Sequence, residues 1–265
     1  MAQNRGQTPA GRRRLLVRSY LFRFAAISFF VAAFGCQDHS PGTAQSRPEL
    51  TGVWIGPDRT AEPSAGMTPQ GQALFDAARP IYGPRSVPVA NSNDPIVGCD
   101  PIGFPRILLL RAPLNEMEIV QTPNRIFQFF RYQRVHREIW TDGRALPIDV
   151  GGTDPQSPDP RWYGYSIGRW TDDGTFIVET VGATETWGDE EGHPHGLGAR
   201  IEERYHLLDK DTLELVVTID DAEMYEKPFV ASKQQLKRGK ELREQLCVPS
   251  LALQYLELVA KPAGR

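Results

Sequence analysis

The clearest pattern of hydrophobic and polar positions lies between Trp162 and Ile219. Four stretches there are rich in alternating apolar residues: YGYSIGRW, TFIVETV, ARIEERYHLL and LELVVTI. The turn sequences TDDG and DKDT separate the outer pairs, and a long polar loop with two of the five histidines separates the middle pair. Side chains two positions apart share one face of a strand, so the pattern predicts four consecutive antiparallel strands.

Further strands are predicted on the N-terminal side of this region, at Leu50–Ile55, Glu116–Gln121, Ile126–Tyr132 and Val135–Trp140. The segment Thr141–Arg144, with Asp-Gly at its centre, predicts a hairpin-like turn. About eight strands joined mainly to their sequence neighbours close most simply into an antiparallel up-and-down β-barrel or a strongly curled meander. The predicted fold is therefore mainly β, with a few short helices. A barrel of this size is filled by side chains or holds one small ligand.

The remaining segments are not typical of strands. Thr68–Ala78 begins with threonine and proline, the residues preferred at the N-cap and first position of a helix. Asn91–Pro105 is a long irregular segment, and such segments in a compact domain usually cover a site or have a function of their own. Lys233–Leu246 contains helix-forming and charged residues, and Ser250–Ala260 is predicted to be a packing helix or a last strand.

Residues 1–36 have the features of an export signal. A basic region formed by Arg12, Arg13, Arg14 and Arg18 precedes the apolar run Phe24–Gly35, which is shorter than the roughly 20 residues that span a bilayer. The run ends in AFGC, which resembles a bacterial lipobox in which Cys36 is lipidated and becomes the mature N-terminus. An ordinary secretory signal and a twin-arginine signal are the alternatives.

The expected organisation is a signal segment over residues 1–36, a flexible tether over 37–49 and one barrel-like domain over 50–265. Gln37 after the lipidated cysteine resembles lipoproteins sent to the outer membrane. We therefore expect an exported protein, attached to the outer membrane by its N-terminal lipid and facing the periplasm.

Cysteine usage agrees with export. With Cys36 lipidated, Cys99 and Cys247 remain as an even pair in an oxidising compartment, and we predict that they form a disulfide. Two separate buried thiols are the alternative. Neither cysteine has another cysteine or a histidine at ligand spacing, so no metal site is predicted on them.

Composition excludes several classes of function. The net charge of −3, without a basic stripe in the mature part, gives no reason to expect nucleic acid as a partner. The chain has no GxGxxG, no phosphate-binding loop and no Gly-x-Ser-x-Gly, so neither a nucleotide cofactor nor an ordinary serine hydrolase is predicted.

The polar loop between the middle strands carries the most reactive group of side chains: Asp189, His193 and His195. Two histidines with nearby acids are able to form an acid–base pair, because histidine titrates near neutral pH. They would also hold a metal if a third ligand were present, but no firm third ligand is found and no metal is assigned. The remaining alternative is a solvated polar loop.

Glu203 stands in an otherwise apolar row with Ile201, Tyr205 and Leu207. A buried carboxylate must be paired with a cation or protonated. The sequence leaves two alternatives open, which are an ion pair with an arginine such as Arg137 or Arg169, and a ligand anchor or general base.

Five residues are candidate ligand contacts: Asp100, Arg106, Trp140, Tyr165 and Arg204. An arginine in the loop after Cys99 is suited to bind a carboxylate, or to pair with Asp100 and hold the loop. Aromatic side chains that face a cavity suit an apolar or aromatic ligand.

Three motifs carry a family resemblance: IWTDGR at 139–144, GYSIGRW at 164–170 and the run from GHPH to EERY at 192–205. Together they resemble a family of exported bacterial proteins over residues 50–249, a resemblance that implies no catalytic role. In addition, Gly52-Val53-Trp54 resembles the entry to the calycin (lipocalin-like) barrel, in which the tryptophan closes the base.

The leading functional hypothesis is a lipoprotein whose barrel binds a small apolar or amphipathic molecule. The first alternative is an enzyme, such as an isomerase, cyclase or hydrolase, that uses His195 as acid–base and Glu203 as its partner in the same pocket. The second is an assembly partner at the outer membrane.

Overall fold

The computed structural model describes residues 47–57, 65–111 and 114–260. Cys36, the signal segment and most of the predicted tether lie outside these residues. Nine of the described strands form a closed barrel: β1 (Gly52–Ile55), β2 (Glu116–Gln121), β3 (Arg125–Phe130), β4 (His136–Trp140), β5 (Tyr165–Trp170), β6 (Phe176–Val181), β9 (Arg200–Asp209), β10 (Thr212–Asp220) and β11 (Phe229–Arg238). The short strands β7 (Thr186–Trp187) and β8 (Pro194–His195) pair with each other in the loop between β6 and β9. The mainly β, barrel-like fold predicted from the sequence is therefore confirmed.

Each barrel strand pairs with its sequence neighbours, and β11 closes the ring by pairing with β1. The pairs are antiparallel except for β4 and β5, which run parallel. When strand direction alternates around a closed ring, an odd number of strands leaves one pair with the same direction. The long connection over residues 141–164 carries the chain back to the end at which β4 began, so the turn at Thr141–Arg144 does not close a hairpin as its sequence suggests.

The interior of the barrel is occupied by side chains. Alternate residues of the strands point inward, as in β10, where Leu213, Leu215, Val217 and Ile219 are all buried. Trp54 of β1 is fully buried, its indole N–H donates to the Leu50 carbonyl at 2.8 Å, and the Arg238 guanidinium lies 4.3 Å from its ring centroid.

A buried segment contributes to this filling. The short helix α2 (Arg106–Leu109) and the residues on either side, Phe104 and Leu110, are almost completely inaccessible to solvent. Phe104 lies 4.1 Å from the guanidinium of the inward-facing Arg137, and the Leu108 carbonyl accepts a hydrogen bond from Gln234 of β11 at 3.1 Å. These contacts with inward-facing side chains of two strands place the segment against the barrel interior.

The predicted disulfide between Cys99 and Cys247 is confirmed. It joins the irregular segment before α2 to the chain just ahead of the C-terminal helix α3 (Pro249–Ala260). The helical alternative for this last segment is therefore correct. None of the helices within the described ranges has the length and apolar character needed to cross a membrane.

Two other local predictions have different outcomes. Helix α1 (Pro69–Ala77) begins as its sequence predicts, because the Thr68 hydroxyl accepts a hydrogen bond from the Gly71 amide at 3.1 Å. The interpretation of Lys233–Leu246 as helix-forming is wrong, since β11 extends to Arg238 and residues 239–246 contain no helix. The inward positions of β11 include Ser232 and Gln234, and a polar inner row conceals the alternation that identifies a half-buried strand.

Candidate ligand-binding site

A cavity of about 1200 Å³ lies where the parallel strands β4 and β5 meet. Its lining comes from β4, from the start of β5 and from the two ends of the connection between them, at residues 144–147 and 160–164. Two of the three motifs on which the family resemblance rests, 139–144 and 164–170, contribute to this lining.

The strand pairing explains why a cavity forms at this position. β4 and β5 pair only at Ile139 with Ser166 and at Trp140 with Ile167, whereas β9 and β10 pair along almost their whole length. Beyond those two positions the strands diverge, and the long connection lies over the gap. We refer to the β4–β5 contact as the parallel seam.

Most of the lining strand residues point away from the barrel interior. His136, Glu138 and Trp140 alternate with the buried Arg137 and Ile139, so they face outward. The cavity therefore lies beside the parallel seam, under the connection, and not in the centre of the barrel.

The walls of the cavity are mainly aromatic and apolar. Trp140 and Tyr165 stand on the two strands of the seam, and Trp162 and Tyr163 come from the end of the connection. Three prolines complete the apolar lining: Pro147 and Pro160 of the connection, and Pro101 of the irregular segment before α2. Flat rings and rigid prolines favour an apolar or aromatic ligand, and they lose little conformational entropy when one binds.

Charged residues around the mouth are mostly neutralised by partners. The Arg144 guanidinium lies 3.4 Å from the Trp140 ring centroid and forms an ion pair of 2.7 Å with Asp142. Glu138 pairs with Arg125 at 3.2 Å. Arg161 is exposed, and its guanidinium lies 4.1 Å from the Tyr165 ring centroid.

Two inward-facing residues, Arg137 and Ser166, reach the cavity through the gap at the seam. Two nitrogens of Arg137 donate to the carboxylate of Glu203, at 2.8 and 3.3 Å. One of these nitrogens also lies 3.2 Å from the Ser166 hydroxyl. Since β4 and β9 are not adjacent strands, this ion pair crosses the barrel interior.

Glu203 has a second partner in the interior. The Tyr205 hydroxyl donates to its carboxylate at 2.5 Å and accepts a hydrogen bond from the Gln128 amide at 2.7 Å. Burial, followed by the neighbouring negative charge of Glu203, raises the pKa of Tyr205 well above its ordinary value. The structure thus realises the ion-pair alternative for Glu203, with Arg137 and not Arg169 as the partner.

The histidines of the polar loop lie elsewhere. The His193 Nδ1 is 2.6 Å from the Asp189 carboxylate, and its ring stacks on Phe75 with centroids 4.4 Å apart. His195 is almost completely buried in β8, with Nδ1 3.3 Å from the Gly196 carbonyl oxygen. Burial lowers the pKa of His195, so the neutral ring is favoured. Neither histidine lines the cavity, and Glu203 does not line it either, so His195 and Glu203 do not meet there.

The described part of the chain contains no group of three histidine, cysteine or acidic side chains placed to hold a metal ion. His193 and Asp189 form a pair, and among the described residues no third side chain of these types completes a metal site with them. A proton transfer between this histidine and this carboxylate is the chemistry that their contact permits.

Only two of the five ligand contacts predicted from the sequence lie at the cavity. Trp140 and Tyr165 line the cavity, whereas Asp100, Arg106 and Arg204 do not. Arg106 holds the loop after Cys99, but it does so through Asp94, at 2.8 Å between two fully buried side chains, and not through Asp100. Asp100 is exposed, and Arg204 faces outward 3.5 Å from Glu202.

Three lining residues were not predicted as ligand contacts. Arg144 lies in the predicted turn, Arg161 directly precedes the first strand region, and Ser166 is an ordinary inward position of a predicted strand. Their proximity follows from the parallel pairing of β4 with β5, which strand alternation alone does not predict.

Comparison with known proteins adds no identification: the chain matches no protein-family model, and no curated protein matches it either.

Proposed function

We propose that this protein binds a small apolar or amphipathic molecule in the cavity at the parallel seam. The observation that carries the proposal is a cavity of about 1200 Å³ with walls of tryptophan, tyrosine and proline. Ligand sites in proteins are typically concave, about 300–1,000 Å³ in volume and mainly apolar, with a few placed polar groups. The cavity is large enough for a molecule of several rings together with water at its mouth.

The polar groups of the cavity fit a binding site. The Arg137 guanidinium is held by Glu203 and Ser166, and the Arg144 guanidinium by Asp142 and the Trp140 ring. Side chains fixed in this way are ready to contact a ligand without losing further freedom, which is the benefit of preorganisation.

The enzyme alternative receives less support from the same geometry. It requires His195 and Glu203 to act in one pocket, but His195 lies in the β7–β8 hairpin and the Glu203 carboxylate is occupied by Arg137 and Tyr205. A general base must reach the proton that it removes, within hydrogen-bonding distance or through one water.

The binding proposal is tested with the neutral fluorescent probe N-phenyl-1-naphthylamine. Trp140→Ala and Tyr165→Ala each remove an aromatic wall, so we expect each to weaken binding by about tenfold or more. The control is Tyr255→Ala, which removes an exposed aromatic side chain of α3, outside the cavity. Binding that Trp140→Ala and Tyr165→Ala leave unchanged, or no binding to the wild-type protein, would contradict the proposal.

Export and lipid attachment at Cys36 belong to the same proposal, because a protein anchored at the outer membrane and facing the periplasm meets small amphipathic molecules there. The support is the basic and apolar pattern of residues 1–36 and its AFGC end. Mass spectrometry of the N-terminal peptide from cells tests it, with Cys36→Ser as the control. An unmodified Cys36 in the wild-type protein would contradict the anchor without affecting the binding proposal.

A further inference from the structure

We infer that the ligand of the seam cavity is an anion, an aromatic or aliphatic monocarboxylate whose acidic group is held by Arg161. The inference rests on the proposed binding function and specifies its ligand. The relevant observations are the balance of charge around the cavity, the contacts of Arg161 and the apolar wall beside it.

The charge balance leaves one positive group. Among the ionised residues of the lining, Arg137 pairs with Glu203, Arg144 with Asp142, and Glu138 with Arg125. Arg161 also lines the cavity and has no carboxylate partner in the part of the chain that the structure describes. With the other pairs neutral, the cavity has an uncompensated charge of about +1, which favours an anionic ligand.

The Arg161 side chain is oriented by an aromatic ring. Its guanidinium lies 4.1 Å from the Tyr165 ring centroid, the position of a cation–π contact. A cation–π contact does not use the guanidinium N–H groups as hydrogen-bond donors to another side chain, so they remain available to a ligand. These N–H groups match the two oxygens of a carboxylate.

The Arg161 backbone is equally well fixed. Its amide donates to the Gly182 carbonyl at 3.0 Å, and its own carbonyl accepts from the Gly164 and Thr184 amides at 3.1 and 2.9 Å. The residue is therefore attached to the start of β5 and to the chain after β6. A binding group on a fixed backbone loses less conformational entropy than one on a free loop.

The apolar wall gives the ligand its second property. Tyr165, which supports Arg161, lies two residues before Ile167 on the same face of β5, and Ile167 is the residue opposite Trp140 across the seam. A carboxylate at Arg161 would place the attached apolar group against these side chains. The same arrangement disfavours a cationic ligand, which would meet Arg161 without a compensating carboxylate.

The test compares 2-naphthoate with its neutral ester, methyl 2-naphthoate, by isothermal titration calorimetry on the purified protein. The two probes share one ring system and differ mainly in charge. We expect the wild-type protein to bind 2-naphthoate about tenfold more tightly than the ester, and we expect added salt to weaken only the naphthoate.

Arg161→Gln should abolish this preference and leave ester binding within about twofold, because it removes the charge and preserves the apolar wall. Arg161→Lys should retain part of the preference, since lysine keeps the charge but not the planar N–H groups. The matched control is Arg169→Gln, on the outward face of the same strand β5 and outside the cavity lining, which should retain the full preference.

The outcomes separate the inference from the function on which it rests. Ester binding without any preference for naphthoate, or a preference that survives Arg161→Gln, would overturn the anion inference and leave the binding function standing. If neither probe bound the wild-type protein, both would fall.

Discussion

Glu203 shows how a single buried residue is accommodated in a packed barrel. Its carboxylate is fully buried among apolar side chains, and the ion pair with Arg137 and the hydrogen bond from Tyr205 compensate for the lost hydration. Breaking such a pair leaves one uncompensated buried charge, which costs much more than replacing both partners. The residue is therefore explained by stability, and a catalytic role for it remains a prediction.

Replacement of Glu203 by glutamine should destabilise the protein by about 3–5 kcal/mol, because Arg137 then remains buried without its counter-charge. The double variant Arg137→Met/Glu203→Leu should lose much less than the sum of its single variants, since no unpaired charge remains. Urea unfolding measures these differences. Glu202→Gln, on the outward face of the same strand, is the control, and a Glu203→Gln protein as stable as this control would contradict the argument.

His195 should make folding stability depend on pH. Burial lowers its pKa from the ordinary value of 6.5, and the hydrogen bond with the Gly196 carbonyl and the carboxylates of Asp221 and Glu185 oppose this shift less strongly. The unfolded chain thus binds a proton on this histidine below about pH 6.5, while the folded protein does so only at lower pH. Stability from this residue is therefore unaffected above that pH and is lost as the pH falls below it.

His195→Gln should reduce the loss of unfolding free energy between about pH 7 and pH 5, because the group that titrates is absent. Urea unfolding at a series of pH values measures this, and His136→Gln, an exposed histidine, should behave like the wild-type protein. Equal pH dependence of the His195→Gln and wild-type proteins would show that His195 is not the group involved.

Strand β11 shows that tertiary contacts determine whether a segment becomes a strand or a helix. Its inward residues Ser232 and Gln234 are polar, and the strand contains an irregularity opposite Val217 and Thr218 of β10. Gln234 is satisfied by the Leu108 carbonyl, which belongs to a segment far away in sequence. The strand is thus stabilised by tertiary contacts more than by its own alternation, which explains why its sequence suggests a helix.

The segment around α2 depends on its cross-links. The Cys99–Cys247 disulfide closes a loop with a sequence separation of 148 residues, and Arg106 binds Asp94 within the same region. In the chain-entropy model, a cross-link over a loop this long stabilises the folded state by about 3–5 kcal/mol.

The variant Cys99→Ser/Cys247→Ser should therefore unfold at a lower urea concentration, with a loss of about 3–5 kcal/mol. Wild-type protein treated with a reducing agent should lose a similar amount, which separates the cross-link from the effect of serine itself. An unchanged unfolding midpoint in both experiments would mean that the disulfide does not stabilise the fold.

At the scale of the whole molecule, the odd number of barrel strands is the decisive property. A closed ring of nine strands that otherwise alternate in direction must include one parallel pair. That pair, β4–β5, has only two paired positions, as does β1–β11, which are the fewest in the ring. The divergence of β4 and β5 leaves the cavity at their seam. The candidate site is thus a consequence of how the barrel closes.

Backbone amides at the parallel seam should exchange with solvent faster than those between β9 and β10, because fewer ladder hydrogen bonds must open. Hydrogen exchange with mass spectrometry on peptides covering β4, β5, β9 and β10 measures this. Saturation with a bound probe should slow exchange at the seam selectively. Equal protection of all four strands without ligand would contradict a weak seam.

Much of the fold was predictable because its determinants are local. Apolar alternation in β10, the turns that flank it and the threonine cap of α1 depend on residues that are neighbours in the chain. The pairing of Cys99 with Cys247 followed from the two cysteines that remain once Cys36 is assigned to the expected lipid anchor.

Only the tertiary structure decided the site. Alternation specifies which side chains share a face of a strand, but it does not specify strand number or the direction in which a ring closes. The partnership of Arg137 with Glu203 and the meeting of Trp140, Tyr165 and Arg161 around one cavity depend on that closure. These contacts join residues far apart in sequence, so the physical reason for them is the geometry of the closed barrel and not any pattern within a single strand.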